Sequence, residues 1–316
     1  MQIIDYDQRV PASLGPQSIA LGNFDGLHRG HQALMHQAKA YARVHHLSAS
    51  VLLFKQHSTE DQAQGHKRYL SSLEDKLQAL DQLGMDLVFL KTFNEAFRKM
   101  SPEVFLTRVL LKDLQVRHIV CGADYTYGCG AKGKVADLME GSRRYGFDLS
   151  LVEDVTDQDG IRISSTRIRE AVRLGRVEEA RAMLGAPFFM KGQVVSGARR
   201  GRLLGYPTAN LKLSFPYILP ADGVYLTSVT VEDGQTYYAM TNIGTNPTFE
   251  RGDQIKIESH LFDYSGDLYG QKARIDFLRF ERADVRYPSS AALLKQMGED
   301  ERLLRTWAQE EAKAAR

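Results

Sequence analysis

Two cysteines in 316 residues, Cys121 and Cys129, are too few and too poorly spaced for a disulfide framework, a CxxC pair or a His/Cys metal cluster. Cys121 lies in an apolar run and reads as a core residue. Charge of one sign is also lacking: the net charge of +2 gives no electrostatic reason to expect a nucleic-acid partner. No apolar run approaches the roughly 18 residues needed to span a bilayer. The opening residues Met1-Gln2-Ile3-Ile4-Asp5 lack the basic start and apolar stretch of a signal peptide. There is no internal repeat and no low-complexity segment. These absences point to the cytoplasm, with no membrane and no nucleic-acid partner.

What is present is an ordinary globular composition, 43% hydrophobic and 25% charged. A chain of 316 residues is long for one core, so two domains are expected, 1–185 and 186–316. The first alternates apolar runs (18–22, 49–54, 86–91, 116–121, 147–152) with helical patterns (31–46, 72–83, 101–111, 134–145). That rhythm predicts βαβ units and a Rossmann-like α/β fold on a parallel sheet. After Ala186-Pro187 the pattern becomes β-rich, punctuated by Gly, Pro, Asn and Asp, and predicts a small all-β barrel or sandwich. A terminal helix over 290–313 follows, with Leu293, Leu294, Met297, Leu304 and Trp307 as its apolar stripe.

The most informative stretch is Gly22-Asn23-Phe24-Asp25-Gly26-Leu27-His28-Arg29-Gly30-His31. A strand, a glycine-rich turn and a helix start form a common anion site, because backbone N–H groups and the helix dipole converge there. His28 and His31 fall in or beside the first helical turn, where two imidazoles suit a polyphosphate. Taken alone, the glycines could serve only the turn and the histidines could be surface residues. A second segment, Ile163-Ser164-Ser165-Thr166-Arg167-Ile168-Arg169, opens another helix with good caps. Its arginines stand where positive charge disfavours the helix itself, which suggests an anionic ligand or else a solvated basic face.

The full Gly22–His31 string resembles the nucleotide-binding signature of the nucleotidylyltransferases, in the form carried by bacterial bifunctional riboflavin kinase/FAD synthetases. The Ile163–Arg169 string resembles a second motif of that superfamily. The resemblance implies that Gly22, Phe24, Asp25, Gly26, His28, His31, Ser164, Ser165, Thr166, Arg167 and Arg169 bind ATP. His28 and His31 would stabilise charge during transfer. It also implies that Asp124, Tyr125 and Tyr127, within Gly122–Gly128, line the flavin side, where a flat ring system can stack on aromatics. His57 would join them. The family's Phe-x-Pro-His-Pro is here Phe54-Lys55-Gln56-His57-Ser58, which keeps the histidine and loses both prolines. The loop is therefore expected to be less preorganised, and adenylyltransferase affinity or rate lower.

Arg200-Gly201-Arg202-Leu203-Leu204-Gly205-Tyr206-Pro207-Thr208-Ala209-Asn210-Leu211 carries glycines and arginines suited to a phosphate. Thr208 and Asn210, two apart on an extended segment, point to one face and suit a hydrated Mg²⁺. A turn running into a polar strand start would also account for Pro207–Asn210. The longer string resembles the flavokinase signature, and Asn242–Phe249 and Ile257–Asp263 match later family segments in order. On that resemblance Gly201, Arg202, Gly205, Thr208 and Asn210 bind ATP, phosphate and Mg²⁺, and Glu258 is the general base on the ribityl 5′-hydroxyl. The chain is then expected to convert riboflavin to FMN and FMN to FAD with ATP. A kinase with a weak or inactive second half, a non-catalytic flavin-binding regulator, and a transferase using another acceptor remain open.

Overall fold

The apolar runs of the first half become strands covered on both faces. The computed structural model describes residues 1–8, 10–11, 13–55, 68–196, 206–246 and 254–314. They form two compact units, Met1–Ser165 and Thr166–Arg316.

In the first unit β1 (Gln2–Asp5), β2 (Gln17–Ala20), β3 (Ser48–Phe54), β4 (Leu87–Lys91), β5 (Val116–Gly122) and β8 (Asp148–Val152) make one sheet in the order β1-β4-β3-β2-β5-β8. Every pairing in it is parallel. A separate antiparallel pair, β6 (Thr126–Tyr127) and β7 (Gly133–Lys134), follows β5. The helices are α1 (Arg29–His45), α2 (Leu73–Gln82), α3 (Glu95–Arg98), α4 (Pro102–Val104) and α5 (Val135–Tyr145). The predicted helix over 101–111 is instead the short α4 running into a wider π-helical segment, Phe105–Asp113. One apolar cluster, containing Ile19, Phe89, Val109 and Ile119, covers one side of the sheet. Another, containing Ala20, Met35, Val51 and Leu80, covers the other. Cys121 is fully buried, and burial pushes its thiol up to about 12, which suits an inert core residue.

Strand order fixes where a ligand can sit. From β2 the chain crosses to β3 on one side, whereas β5 is laid on the other side of β2. The order therefore reverses between β2 and β5, and the crevice beyond their carboxyl ends is the usual ligand position in such sheets. Gly22–His31 follows β2 and Gly122–Gly128 follows β5.

In the second unit six strands close an antiparallel barrel in the order β10-β13-β12-β11-β14-β9. They are β9 (Phe188–Val195), β10 (Ala209–Leu213), β11 (Gly223–Val231), β12 (Thr236–Asn246), β13 (Gln254–Leu261) and β14 (Lys272–Ala283). Alternation sends Tyr225 and Thr227 inward and Val224 and Leu226 outward. Three fully buried hydroxyls run across the interior: Thr227 Oγ1 lies 2.7 Å from Thr241 Oγ1, itself 2.7 Å from Ser259 Oγ. Satisfying one another removes the cost of burying them. Helices α6 (Ser165–Arg173) and α7 (Val177–Leu184) precede the barrel, and α8 (Ser290–Ala314) follows it. Leu304 and Ala308 of α8 cover Val224, Leu226 and Met240, with Met297 and Trp307 at the edge of that cluster, so this part of the predicted stripe is core. Among the described residues no helix is long and apolar enough to cross a membrane.

Candidate active sites

The turn after β2 is built by close fits. A Cβ on Gly22 would stand 2.8 Å from the Phe24 ring, which is fully buried and cannot yield. Phe24 and Leu27 are held at positive φ, 50° and 43°, a conformation non-glycine residues rarely adopt. Phe24 meets His31 edge-on, with centroids 5.2 Å apart. Gly30 leaves room for the His28 ring, which would lie 3.1 Å from a Cβ there. The expected effect of Gly22→Ala is thus local: Phe24 is displaced, His31 loses its support and FAD formation falls at least about tenfold. FMN formation by the same chain serves as the reference, and equal loss of both would contradict a local effect.

His28 is the N-cap of α1, its Nδ1 accepting the His31 backbone N–H at 3.3 Å. This leaves Nε2 as the protonated nitrogen of a neutral His28 ring. The two imidazoles stack with centroids 3.7 Å apart and planes 19° from parallel. Burial, then the neighbouring His28 and Lys76, hold the His31 pKa well below its ordinary value, so this ring is neutral. His31 Nδ1 is buried and has no hydrogen-bond partner among the described residues.

Asp25, predicted as an ATP contact, has a structural task. Its Oδ1 accepts N–H bonds from Leu70 at 3.1 Å and Ser71 at 3.2 Å. Gly26 N–H donates to Ser71 Oγ at 2.9 Å. The start of α2, with its Ser72–Asp75 capping box, is thereby fastened to the turn. Ser165 Oγ donates to the Asp25 carbonyl at 2.9 Å, tying the second predicted motif to the first at that residue. Ser164 is half-buried, and Thr166, Arg167 and Arg169 lie on α6, where Arg167 is 3.8 Å from Glu179.

At the end of β5, Tyr125 and Tyr127 stack with planes 11° apart and centroids 5.9 Å apart. Burial pushes the Tyr127 hydroxyl up to about 12 and also raises Tyr125, so both rings stay neutral. Asp124 is exposed and pairs with Arg162 at 2.7 Å, and Arg162 also meets Asp154 at 2.9 Å. Sequence reasoning missed Arg162, whose surroundings give no local signal.

The barrel brings the second motif set together by register. Glu258 on β13 lies opposite Asn210 on β10 and opposite Asn242 on β12, so the three share one row on one face. Asn242 is in turn opposite Val224, which places the row on the outer face of the barrel. Lys256 Nζ holds Glu258 Oε2 at 2.7 Å. Asn242 Oδ1 is buried without a hydrogen-bond partner among the described residues. His260 Nδ1 donates to the Pro207 carbonyl at 2.9 Å, fixing the segment that delivers Thr208 and Asn210. Asn242, Lys256 and His260 were missed as site residues because their relevance comes from pairing across strands. His57, Gly201, Arg202 and Gly205 lie outside the described residues. Among the described residues no group of three or more His, Cys, Asp or Glu could hold a metal ion.

Comparison with known proteins bears on both halves. The FAD synthetase family model matches residues 10–167, and the riboflavin kinase family model matches residues 184–308. A bifunctional riboflavin kinase/FMN adenylyltransferase from Listeria monocytogenes is 37% identical over 90% of this chain and 90% of its own. The protein of that description from Escherichia coli K12 is 33% identical, again over 90% of each chain. A crystal structure described as a macrolide-efflux protein from Streptococcus pneumoniae is 32% identical with a TM-score of 0.86, covering 96% of this chain and 99% of that one.

Proposed function

The chain belongs to the bifunctional riboflavin kinase/FMN adenylyltransferase family, and from that premise we infer how its residues divide the two reactions. It phosphorylates riboflavin with ATP to give FMN and ADP, then joins FMN to the AMP part of a second ATP to give FAD and pyrophosphate. The observation that carries this assignment is the agreement of both family matches, in order, with curated relatives along about nine-tenths of the chain.

In the kinase reaction Glu258 takes the proton of the ribityl 5′-hydroxyl as its oxygen attacks the γ-phosphorus, and ADP leaves. The cross-strand row of Asn210, Glu258 and Asn242 supports this assignment, since it gathers an amide, a carboxylate and a buried amide oxygen on one face. Thr208 and Asn210 are oxygen donors, as Mg²⁺ requires, and few protein ligands suffice when phosphates supply others. They would hold the ion, which neutralises phosphate charge when bound. Gly201, Arg202 and Gly205 are assigned to the ATP phosphates by motif.

In the adenylyl transfer an FMN phosphate oxygen attacks the α-phosphorus and pyrophosphate leaves, with no covalent enzyme intermediate. His28 and His31 donate hydrogen bonds to the phosphates. Gly22, Phe24, Asp25 and Gly26 shape the turn that holds the rings. Ser164, Ser165, Thr166, Arg167 and Arg169 are assigned to phosphate contacts by motif, and His57, Asp124, Tyr125 and Tyr127 to the flavin side. The functional boundary falls at 185/186, after the helices α6 and α7, and the reactions run in the cytoplasm.

The test is to incubate the pure chain with riboflavin, ATP and Mg²⁺ and to separate the flavins. FMN followed by FAD is the expected result. FMN accumulating without FAD would leave a kinase alone, and neither product would remove both assignments.

A further inference from the structure

Lys76 lies at the end of the first turn of α2 and is only 6% exposed. Both facts run against its chemistry. A cation near a helix N-terminus opposes the dipole, and a buried ammonium is costly unless negative charge meets it. Nor can α2 easily withdraw, because the Asp25 carboxylate and Gly26 N–H grip the two residues before its cap, Leu70 and Ser71.

The transfer at this site needs positive charge, since the α-phosphoryl oxygens and departing pyrophosphate are anionic. Two neutral imidazoles supply hydrogen bonds and no charge. We propose that Lys76 is the fixed cation of the adenylyltransferase site, stabilising the ATP phosphates beside the His28–His31 stack. This rests on the adenylyltransferase assignment above. The Lys76 charge already reaches His31, where it helps to keep that ring unprotonated. One buried residue thus sets the protonation state of its neighbour and provides the charge that neighbour lacks.

The experiment compares Lys76→Met, Lys76→Arg and the unaltered chain, measuring kcat and KM for ATP in FAD formation from supplied FMN. FMN formation from riboflavin is followed in the same preparations as a reference for folding. Lys76→Met should lower kcat/KM for ATP about 100-fold or more, the usual effect of losing one charge-stabilising group. Lys76→Arg should recover most of that loss, and FMN formation should hold in both. Unchanged FAD formation in Lys76→Met would overturn the proposal. So would an arginine variant as damaged as the methionine one, which would mean that packing matters and charge does not. Loss of both activities together in Lys76→Met and Lys76→Gln would make Lys76 a structural residue and overturn it likewise. An unaltered chain that makes FMN but no FAD would instead remove the adenylyltransferase assignment, and this inference with it.

Discussion

His31→Ala should lower FAD formation by about a thousandfold while FMN formation by the same chain stays near wild type. His31 is engaged on two sides, edge-on to Phe24 and stacked on His28, so alanine removes both a donor and the support of its neighbour. The measurement is FAD produced from supplied FMN and ATP, with riboflavin phosphorylation as the reference. Equal loss of both activities would contradict separate sites. The protonation state gives a second check. Burial, His28 and Lys76 all disfavour the charged ring, so its pKa lies well below 6.5 and the neutral form persists as pH falls through that value. The rate of FAD formation should therefore stay level, as far as His31 governs it, from about pH 8 to about pH 6. An acid limb near 6.5 that disappears in His31→Ala would show the ring titrating normally and remove this account.

Glu258→Ala should produce the opposite pattern. FMN formation should fall at least about a hundredfold, the usual minimum for losing a positioned general base. FAD formation should persist when FMN is supplied. Glu258→Gln, which keeps the shape and the row with Asn210 and Asn242, should be nearly as damaged, because an amide cannot accept the hydroxyl proton. Kinase activity unchanged in either variant would take Glu258 out of its role. Activity retained in the glutamine variant alone would assign it to hydrogen bonding and not to proton transfer.

Much of the fold was legible because burial writes itself into composition. β3 and β5 are covered on both faces and so read as continuous apolar runs. β1 did not read, since four residues with one buried side chain carry no pattern of their own; parallel pairing with β4 makes it a strand. The π-helical stretch at Phe105–Asp113 has the apolar spacing of any helix, and its wider hydrogen bonding leaves no mark in the sequence. Barrel closure was equally hidden, because β9 and β14 pair from opposite ends of the β-rich region.

At the sites, motif residues were legible and their neighbours were not. The Gly22–His31 spacing could be read, yet the grip of Asp25 on Leu70 and Ser71 depends on where α2 returns in space. Lys76 looked like one more helix charge. Asn242 lay in a matching segment, but its place beside Glu258 exists only through the β12–β13 register.

That register restricts how the kinase half can change over time. In a closed barrel every strand has two neighbours, so no strand can slide without disturbing both. One residue inserted in β13 ahead of Glu258 would turn its carboxylate inward and bring a neighbouring residue out. It would also break the link between Thr241 and Ser259 that runs through the interior. Substitutions along these strands are open to selection, whereas odd-numbered insertions and deletions are not. Length variation among descendants of this chain should therefore gather in the connections between strands and leave β10, β12 and β13 at constant length.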